Sequence, residues 1–455
     1  MMIKMERILG NNIKTSTKII FALAIPVIIE NILQVLLGTT DTYFAGKLHP
    51  NAIAAIGVVN LVMNVFIAFF TAISVGTSAV VARHIGEGNK EKAKDTVMQS
   101  ILLAIGIGLI LGGVSALLAK PLLSFMGAEA EVIDYAMPYF FCVGVPCIFL
   151  SLMMILSSSL RSVGDTKTPM IAAIAANIIN ISLNYILIFG IFNFKGWGIV
   201  GAGVATTLSR MIAVGLLLIK IYGGNTAIKL NMKDKWTYNK LIMRSIIGIG
   251  MPAGAEKVIM RTGQMVYGSV IISLGTNAYV AHNIAGTIES YSYLPAMGFS
   301  VAAATLVGQS LGSKNFKKAR SYGLIANLLS TFVMVFIGGV FFIGAPYLAA
   351  LFTQDVQIQM LVVKVLRIIA LFQPFLSITS VIASALQGAG DTRFPMYSTL
   401  IGIWGVRVVF GILFAVVFKL GLVGIWLAYA LDITLRAVIL MIRFLRGRWL
   451  HIQIK

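Results

Sequence analysis

The sequence predicts an all-α polytopic membrane protein: twelve transmembrane helices in two six-helix lobes related by a pseudo-twofold axis. Three observations predict it. Hydrophobic residues make up 58% of the 455 positions and charged residues only 11%, against about 25% charged in a soluble domain, and the mean hydropathy is +0.92. The apolar residues gather in runs of roughly 20 or more, the length of a helical span, without the alternation of membrane β-strands. Finally, Leu160–Met170 (LRSVGDTKTPM) returns 226 residues later as Leu386–Met396 (LQGAGDTRFPM).

Each copy of that stretch suits a tight turn between two helices. Gly164 and Gly390 can take positive φ to end one helix, while Asp165-Thr166 and Asp391-Thr392 supply capping oxygens. Pro169 and Pro395 suit the first turn of the next helix, where no backbone donor is needed. The same offset places Pro26 and Glu30 on Pro252 and Glu256, Ser74-Val75 on Ser300-Val301, and Gly86, Asn89, Lys92 and Ala93 on Gly312, Asn315, Lys318 and Ala319. A repeat this long is a duplicated domain rather than a solenoid unit.

In chain order, a basic start with Lys4, Arg7, Lys14 and Lys18 is followed by spans at 19–43, 52–82, 94–119, 132–159, 168–191 and 198–221. A second set follows at 243–272, 278–310, 319–346, 359–386, 395–418 and 421–445. The N-lobe is therefore 1–222 (spans one to six), a cytoplasmic linker runs over 223–241, and the C-lobe is 242–455 (spans seven to twelve). Six spans per half give both copies the same orientation, so the axis lies along the membrane normal with a cavity between the copies. The first run lacks a small-residue cleavage site and reads as an uncleaved span.

Loop charge sets orientation. Lys and Arg gather at the two termini and in the loops after even-numbered spans, whereas the intervening loops hold Lys47, Lys120, Lys195 and Lys419. By the positive-inside rule this is a multi-pass protein of the cell membrane with both termini cytoplasmic. The net charge of +20 is accounted for in this way and does not signal a nucleic-acid partner. Cys142 and Cys147, five apart in one apolar run, read as packed thiols, with no disulfide framework and no metal site.

Ionisable groups inside spans are functional candidates because their desolvation is costly. The acids are Glu30, Asp41, Glu256, Glu289 and Asp432. Asp432 precedes Arg436 by four residues, the spacing of a structural intrahelical pair. Glu289 lies in an Ile-Glu-Ser-Tyr-Ser-Tyr run, within reach of hydroxyls or of Arg261 on another span. Glu30, Gln34, Gly38 and Asp41 share one face of span one, and Asn177, Asn180 and Asn184 one face of span five. Their second-half counterparts are Ile403, Val406 and Phe410, so the amide cluster belongs to the first half alone. It serves either as an ion site or as polar glue between helices. Glu30, Gln34, Asn177, Glu256 and Glu289 are candidates for substrate binding or as secondary acids. Pro26 and Pro252 break apolar helices and read as hinges or as packing kinks. His282, alone in a span, reads as packed. No nucleotide loop, metal-ligand cluster or nucleophile–base pair stands out, so the protein is not read as an enzyme.

With these residues in place the chain resembles the multidrug and toxic compound extrusion (MATE) transporter family over nearly its whole length. The resemblance is carried by Thr40-Asp41-Thr42 with Gly46, Gly164-Asp165-Thr166 through Met170, Asn177–Gly190, Gly250–Gly263, and Gly390-Asp391-Thr392 through Met396. It implies cation-coupled antiport, by H+ or Na+, of organic and often cationic compounds by alternating access. It implies no cofactor beyond the coupling ion. Asp41 matches the family's N-lobe coupling acid, and Asn180, Asn184, Tyr139 and Thr206 match its neighbours; a coupling Na+ would sit at Asp41 and Asn180. Some members carry a carboxylate where this chain has Asn184, and its loss argues against a two-carboxylate sodium site. Others use an acid in span ten; here Gln373-Pro374-Phe375 has none, leaving Glu256 as the C-lobe candidate.

The expected partners are small organic cations and the lipid bilayer, with the protein monomeric. Among the apolar residues, 21 Met and 26 Phe offer adaptable walls for varied cargo. The alternative reading is a flippase of lipid-linked glycan precursors with related architecture, which needs a more basic interior to hold a pyrophosphate.

Overall fold

The computed structural model describes residues 13–191, 195–224, 226–231 and 233–453, apart from the side chains of 41–43, 45 and 50. Over these residues the chain forms thirteen long helices: α1 (Ile13–Gly46), α2 (Pro50–Gly86), α3 (Lys90–Phe125), α4 (Ala130–Gly144), α5 (Ile148–Ser162), α6 (Lys167–Phe189) and α7 (Ile199–Gly223). The second set is α8 (Lys240–Ser273), α9 (Thr276–Gly312), α10 (Phe316–Ala350), α11 (Val356–Gly388), α12 (Arg393–Val417) and α13 (Gly421–Arg446). Ten have the length and composition of a membrane span, and α4 with α5, bent by 46°, passes as an eleventh. Only α8 fails by composition, because Glu256, Lys257 and Arg261 crowd its midpoint. With α8 counted, the twelve expected spans are present.

The fourth span, expected to be continuous over 132–159, is broken between Gly144 and Ile148. Pro146 lies in the break, where it removes a backbone donor. The Val145 carbonyl lies so close to Gly112 of α3 that any side chain there would overlap it. The repeated turns take the expected form: Gly164 has φ 96° and Gly390 has φ 89°. Asn89 and Asn315, equivalent in the repeat, each cap a helix by accepting the N–H of the residue three ahead, at 3.0 Å. The two Asp residues of the turns have diverged. Asp165 accepts from the Thr168 N–H and hydroxyl. Phe394 stands in the place of Thr168, and Asp391 instead pairs with Arg443 at 2.9 Å, its guanidinium lying over the Phe394 ring.

The described residues divide into two compact units. One comprises those up to Ile28 and those from Pro252 onward; the other is Ile29–Met251. The division falls inside α1 and α8, beside Pro26 and Pro252, so the first half of each helix belongs to the unit of the opposite repeat. In the Ile29–Met251 unit, a methyl added at Gly250 would overlap the Ala72 carbonyl, and one at Gly76 the Ile246 carbonyl. The counterpart in the other unit is Gly298 of α9, packed against Ala24 and Ile28 of α1. Missing side chains thus let backbones approach, as is common between helices in lipid.

The linker is held against the Ile29–Met251 unit. Ile228 and Leu230 are buried, and the Leu230 N–H donates to Ile221. Gln99 of α3 donates to the Thr237 carbonyl and accepts the Asn239 N–H, while Lys94 pairs with Asp234 at 2.7 Å. The Asn231 backbone N–H and then Lys94 hold the Asp234 carboxyl below its ordinary range. A depressed carboxylate contributes stability above its unfolded pKa, near 4, and that contribution is lost as pH falls through the folded value. Hydrogen exchange over 228–239, taken relative to the intrinsic rate at each pH, should therefore stay slow from pH 8 to 5 and quicken only below about pH 4. Asp234→Ala should quicken it already at pH 7.

Candidate functional site

Three polar clusters lie inside the units. The first, in the Ile29–Met251 unit, is built on α6 and α7. Asn180 and Asn184 are fully buried, and Thr206 and Tyr139 nearly so. Asn184 donates to the Asn180 side-chain carbonyl at 2.8 Å, and the Asn180 amide reaches the Thr206 hydroxyl at 3.4 Å. Gly203, one turn before Thr206, lies so close to Tyr139 of α4 that a methyl would press on its ring. Asn180, Asn184 and Thr206, which the resemblance groups, thus meet in space, and Tyr139 lies against the preceding turn of α7 at Gly203. Asn177 is buried but donates to the Ala173 carbonyl of its own helix. The side chain of Asp41 lies outside the described residues. On the same helix Glu30 is buried and Gln34, one turn on, is exposed.

The second is a pair of contacts related by the repeat. Arg161 donates to both carboxylate oxygens of Glu30, at 3.0 and 2.9 Å. In the other unit Gln387 donates to Glu256 at 2.9 Å across the same separation of 131 residues, and Thr399 donates to it at 3.0 Å. The geometry is kept, yet the cation of the first half is an amide in the second. Both Glu30 oxygens meet one guanidinium nitrogen, Arg161 Nη1, whereas among the described residues Glu256 has only neutral donors.

The third cluster joins α8, α9, α12 and α13. Asp432 is fully buried and pairs with Arg436, as its spacing predicts, at 2.8 Å. Arg407, not singled out from the sequence, pairs with the same carboxylate at 2.6 Å. Its guanidinium stacks 4.0 Å from the Tyr429 ring centroid and 5.9 Å from that of Tyr267. It rises from a π-helical stretch, Ile401–Val408, a local unwinding frequent at functional sites. Glu289 accepts from Tyr429 at 2.7 Å, and the Tyr293 hydroxyl meets that of Tyr429. The expected alternative partner, Arg261, instead donates to Gln264. His282 packs between the Trp426 and Tyr267 rings. Among the described residues no three His, Cys, Asp or Glu side chains gather as a metal site. The signal for Arg407 in the sequence is a lone Arg inside the apolar run 395–418.

The MatE family model matches twice, over residues 26–186 and 252–413, with starts separated by the repeat offset. A relative from Thermotoga maritima, named as a probable multidrug resistance protein NorM, is 35% identical over 95% of this chain and 93% of its own length. YisQ of Bacillus subtilis, named as an uncharacterized transporter, is 28% identical over 95% of both chains. Among solved structures, an outward-facing multidrug resistance MATE family transporter superposes with a TM-score of 0.88. It is 24% identical and covers 97% of this chain and 96% of its own.

Proposed function

The chain belongs to the MATE family of multidrug efflux transporters, and from that premise we propose that it is a secondary active exporter in which cation entry drives organic compounds outward by alternating access. The observation that supports this most directly is the buried cluster of Asn180, Asn184 and Thr206. Its amides and hydroxyl hold a desolvated polar site in one repeat, while the equivalents Ile403 and Val406 in the other are apolar and buried. A site kept in one copy of a duplicated scaffold fits a single coupling position. In this reading Asp41 is the coupling acid, and Asn180, Asn184, Thr206 and Tyr139 form its surroundings. With an amide at position 184 in place of a second carboxylate, the coupling ion is a proton.

The two repeats, 1–222 and 242–455, act as lobes joined by 223–241 on the cytoplasmic side, where the basic loops place both termini. Pro26 and Pro252, beside which α1 and α8 pass from one unit to the other, are the hinge points. A ligand shifts the inward–outward equilibrium only through different affinities for the two states, and protonation of Asp41 supplies that difference.

The test is transport in proteoliposomes with sodium and proton gradients imposed separately. A proton gradient alone should drive accumulation of a dye such as ethidium, and a sodium gradient alone should not. If neither gradient moves a panel of dyes while labelled lipid-linked sugars cross the bilayer, the flippase reading replaces this one. Asn180→Ala should slow gradient-driven uptake about tenfold or less, because a water admitted to the vacated volume can replace one amide.

A further inference from the structure

The repeat sets two inter-helix turns at equivalent positions, and their charges have diverged. Residues 86–95 (GEGNKEKAKD) carry the chain from α2 into α3, and residues 312–321 (GSKNFKKARS) from α9 into α10. The first stretch balances the acids Glu87, Glu91 and Asp95 against Lys90, Lys92 and Lys94. The second has Ser313, Lys317 and Ser321 at the acidic positions, and it carries Lys314, Lys317, Lys318 and Arg320 with no acid. Charges of the first are engaged within their own unit: His84 meets Glu87 at 3.0 Å, and Lys94 pairs with Asp234 at 2.7 Å. In the second, Lys314, Lys317 and Lys318 are exposed, and among the described residues they form no ion pair.

Orientation in the membrane does not account for this divergence. Topology is set by Lys and Arg, and acids contribute little to it. Loss of three acids therefore leaves orientation unchanged, yet it turns a neutral turn into one with four uncompensated cations. Lys314 points the same way. It stands in the place of Gly88, and both adopt the left-handed backbone, at φ 57° and 74°. Glycine takes that conformation freely and lysine is strained in it, so a charge is kept at the tip of this turn against the preference of its backbone. The basic surface continues onto the end of the chain. Trp449 is fully buried, stacks 4.7 Å from Phe444 and donates to the Phe444 carbonyl. Arg320 donates to the Leu445 carbonyl at 2.8 Å, and the His451 ring lies 5.3 Å from that of Phe316. The terminal segment, so anchored to the turn, adds the exposed Arg446 and Arg448. Phe316, 38% exposed, stands between Lys314 and Lys317 where the first repeat has Lys90.

We propose that this surface binds the anionic headgroups of the surrounding bilayer, and that the equivalent turn of the other unit does not. Only Ser313, Lys314 and Asn315 separate α9 from α10, so the cations directly adjoin two spans, the placement from which Lys and Arg attract an anionic leaflet. Lysine ammonium groups are compact charges on flexible stems, suited to a headgroup that moves. Phe316 adds an apolar contact of the kind that accompanies basic residues at a membrane surface. The two halves of the duplicated scaffold thus differ in their lipid contacts as well as in their buried polar residues. The proposal does not depend on which ion or cargo the protein moves.

The test titrates dioleoyl phosphatidylglycerol into the purified full-length protein in neutral detergent, with dioleoyl phosphatidylcholine as control, and counts retained lipids by native mass spectrometry. Phosphatidylglycerol should be retained in preference, and the preference should fade as ionic strength rises. Lys314→Gln combined with Lys317→Gln should weaken its apparent affinity roughly twenty-fivefold, at about fivefold per charge. Glu87→Ser combined with Glu91→Lys should add a second site of the same preference on the first repeat. Lys314→Gly separates binding from folding. Relief of its backbone should raise the melting temperature in lipid-free detergent, while phosphatidylglycerol retention falls about fivefold. Equal retention of the two lipids, or a preference untouched by the double substitution, overturns the proposal. Competition by glycerol 1-phosphate at the same concentration would mark a site for soluble anions, and the lipid assignment falls.

Discussion

Asp41→Asn should abolish gradient-driven export while leaving the protein folded and inserted. Asparagine keeps the shape and hydrogen-bonding capacity of the side chain but cannot titrate, so the proton no longer has a group through which to bias the two states. Uptake in energised proteoliposomes should fall to the level of empty vesicles. Downhill exchange of labelled for unlabelled dye, which needs no gradient, should persist. Size-exclusion behaviour and melting temperature should match the parent protein. If the variant still concentrates dye with unchanged dependence on the imposed gradient, Asp41 is a structural polar residue and the coupling site lies elsewhere. Glu256 would then be examined next, because its partners Gln387 and Thr399 bring no compensating charge.

Arg407→Met should give the largest loss of stability in the half of the chain from Pro252. Asp432 is fully buried and shared by two guanidiniums. Removing one leaves the carboxylate half-paired and also strips the cation from the Tyr429 face. Breaking one side of a buried ion pair costs about 3–5 kcal/mol, enough to be plain in an SDS unfolding titration. Replacing all three members, Arg407→Met and Arg436→Met with Asp432→Leu, should recover much of the loss, since apolar groups of similar volume often replace a buried ion-pair triad at little cost. Trp426 packs against Tyr429, so its fluorescence should report the local change. Unaltered unfolding in the single variant would mean that Arg436 alone satisfies Asp432.

The sequence made the duplication legible because a repeat needs no three-dimensional information to be seen, only matched turn chemistry at a fixed offset. Span number and the amide face of α6 were legible for a similar reason: helical periodicity converts spacing into a shared side. The Asp432–Arg436 pair was legible because both residues lie on one helix. What stayed hidden was pairing across helices. Nothing in the run around Arg407 says that it reaches Asp432, and nothing near Glu289 says that Tyr429, 140 residues away, takes precedence over Arg261. The break at Pro146 was hidden as well, because hydropathy passes straight through it. The direction in which Lys257 and Glu256 turn, adjacent in sequence and opposite in environment, is a property of packing that residue types alone do not carry.

The two crossed half-helices also fix the order in which the newborn chain can be completed. The first half of α1 is made earliest, but its seat, which includes Gly298 of α9, is synthesised much later. The Ile29–Met251 unit likewise waits for Met251 before Gly76 and Ala72 are covered by the start of α8. The first repeat cannot finish its packing when its own six helices leave the ribosome. A product ending before the linker would expose one glycine-lined groove and carry one orphan arm, the arrangement from which strand-exchange dimers and degradation both begin. Two fragments cut within the linker and made in the same cell should therefore rescue each other, since each supplies the arm that the other lacks.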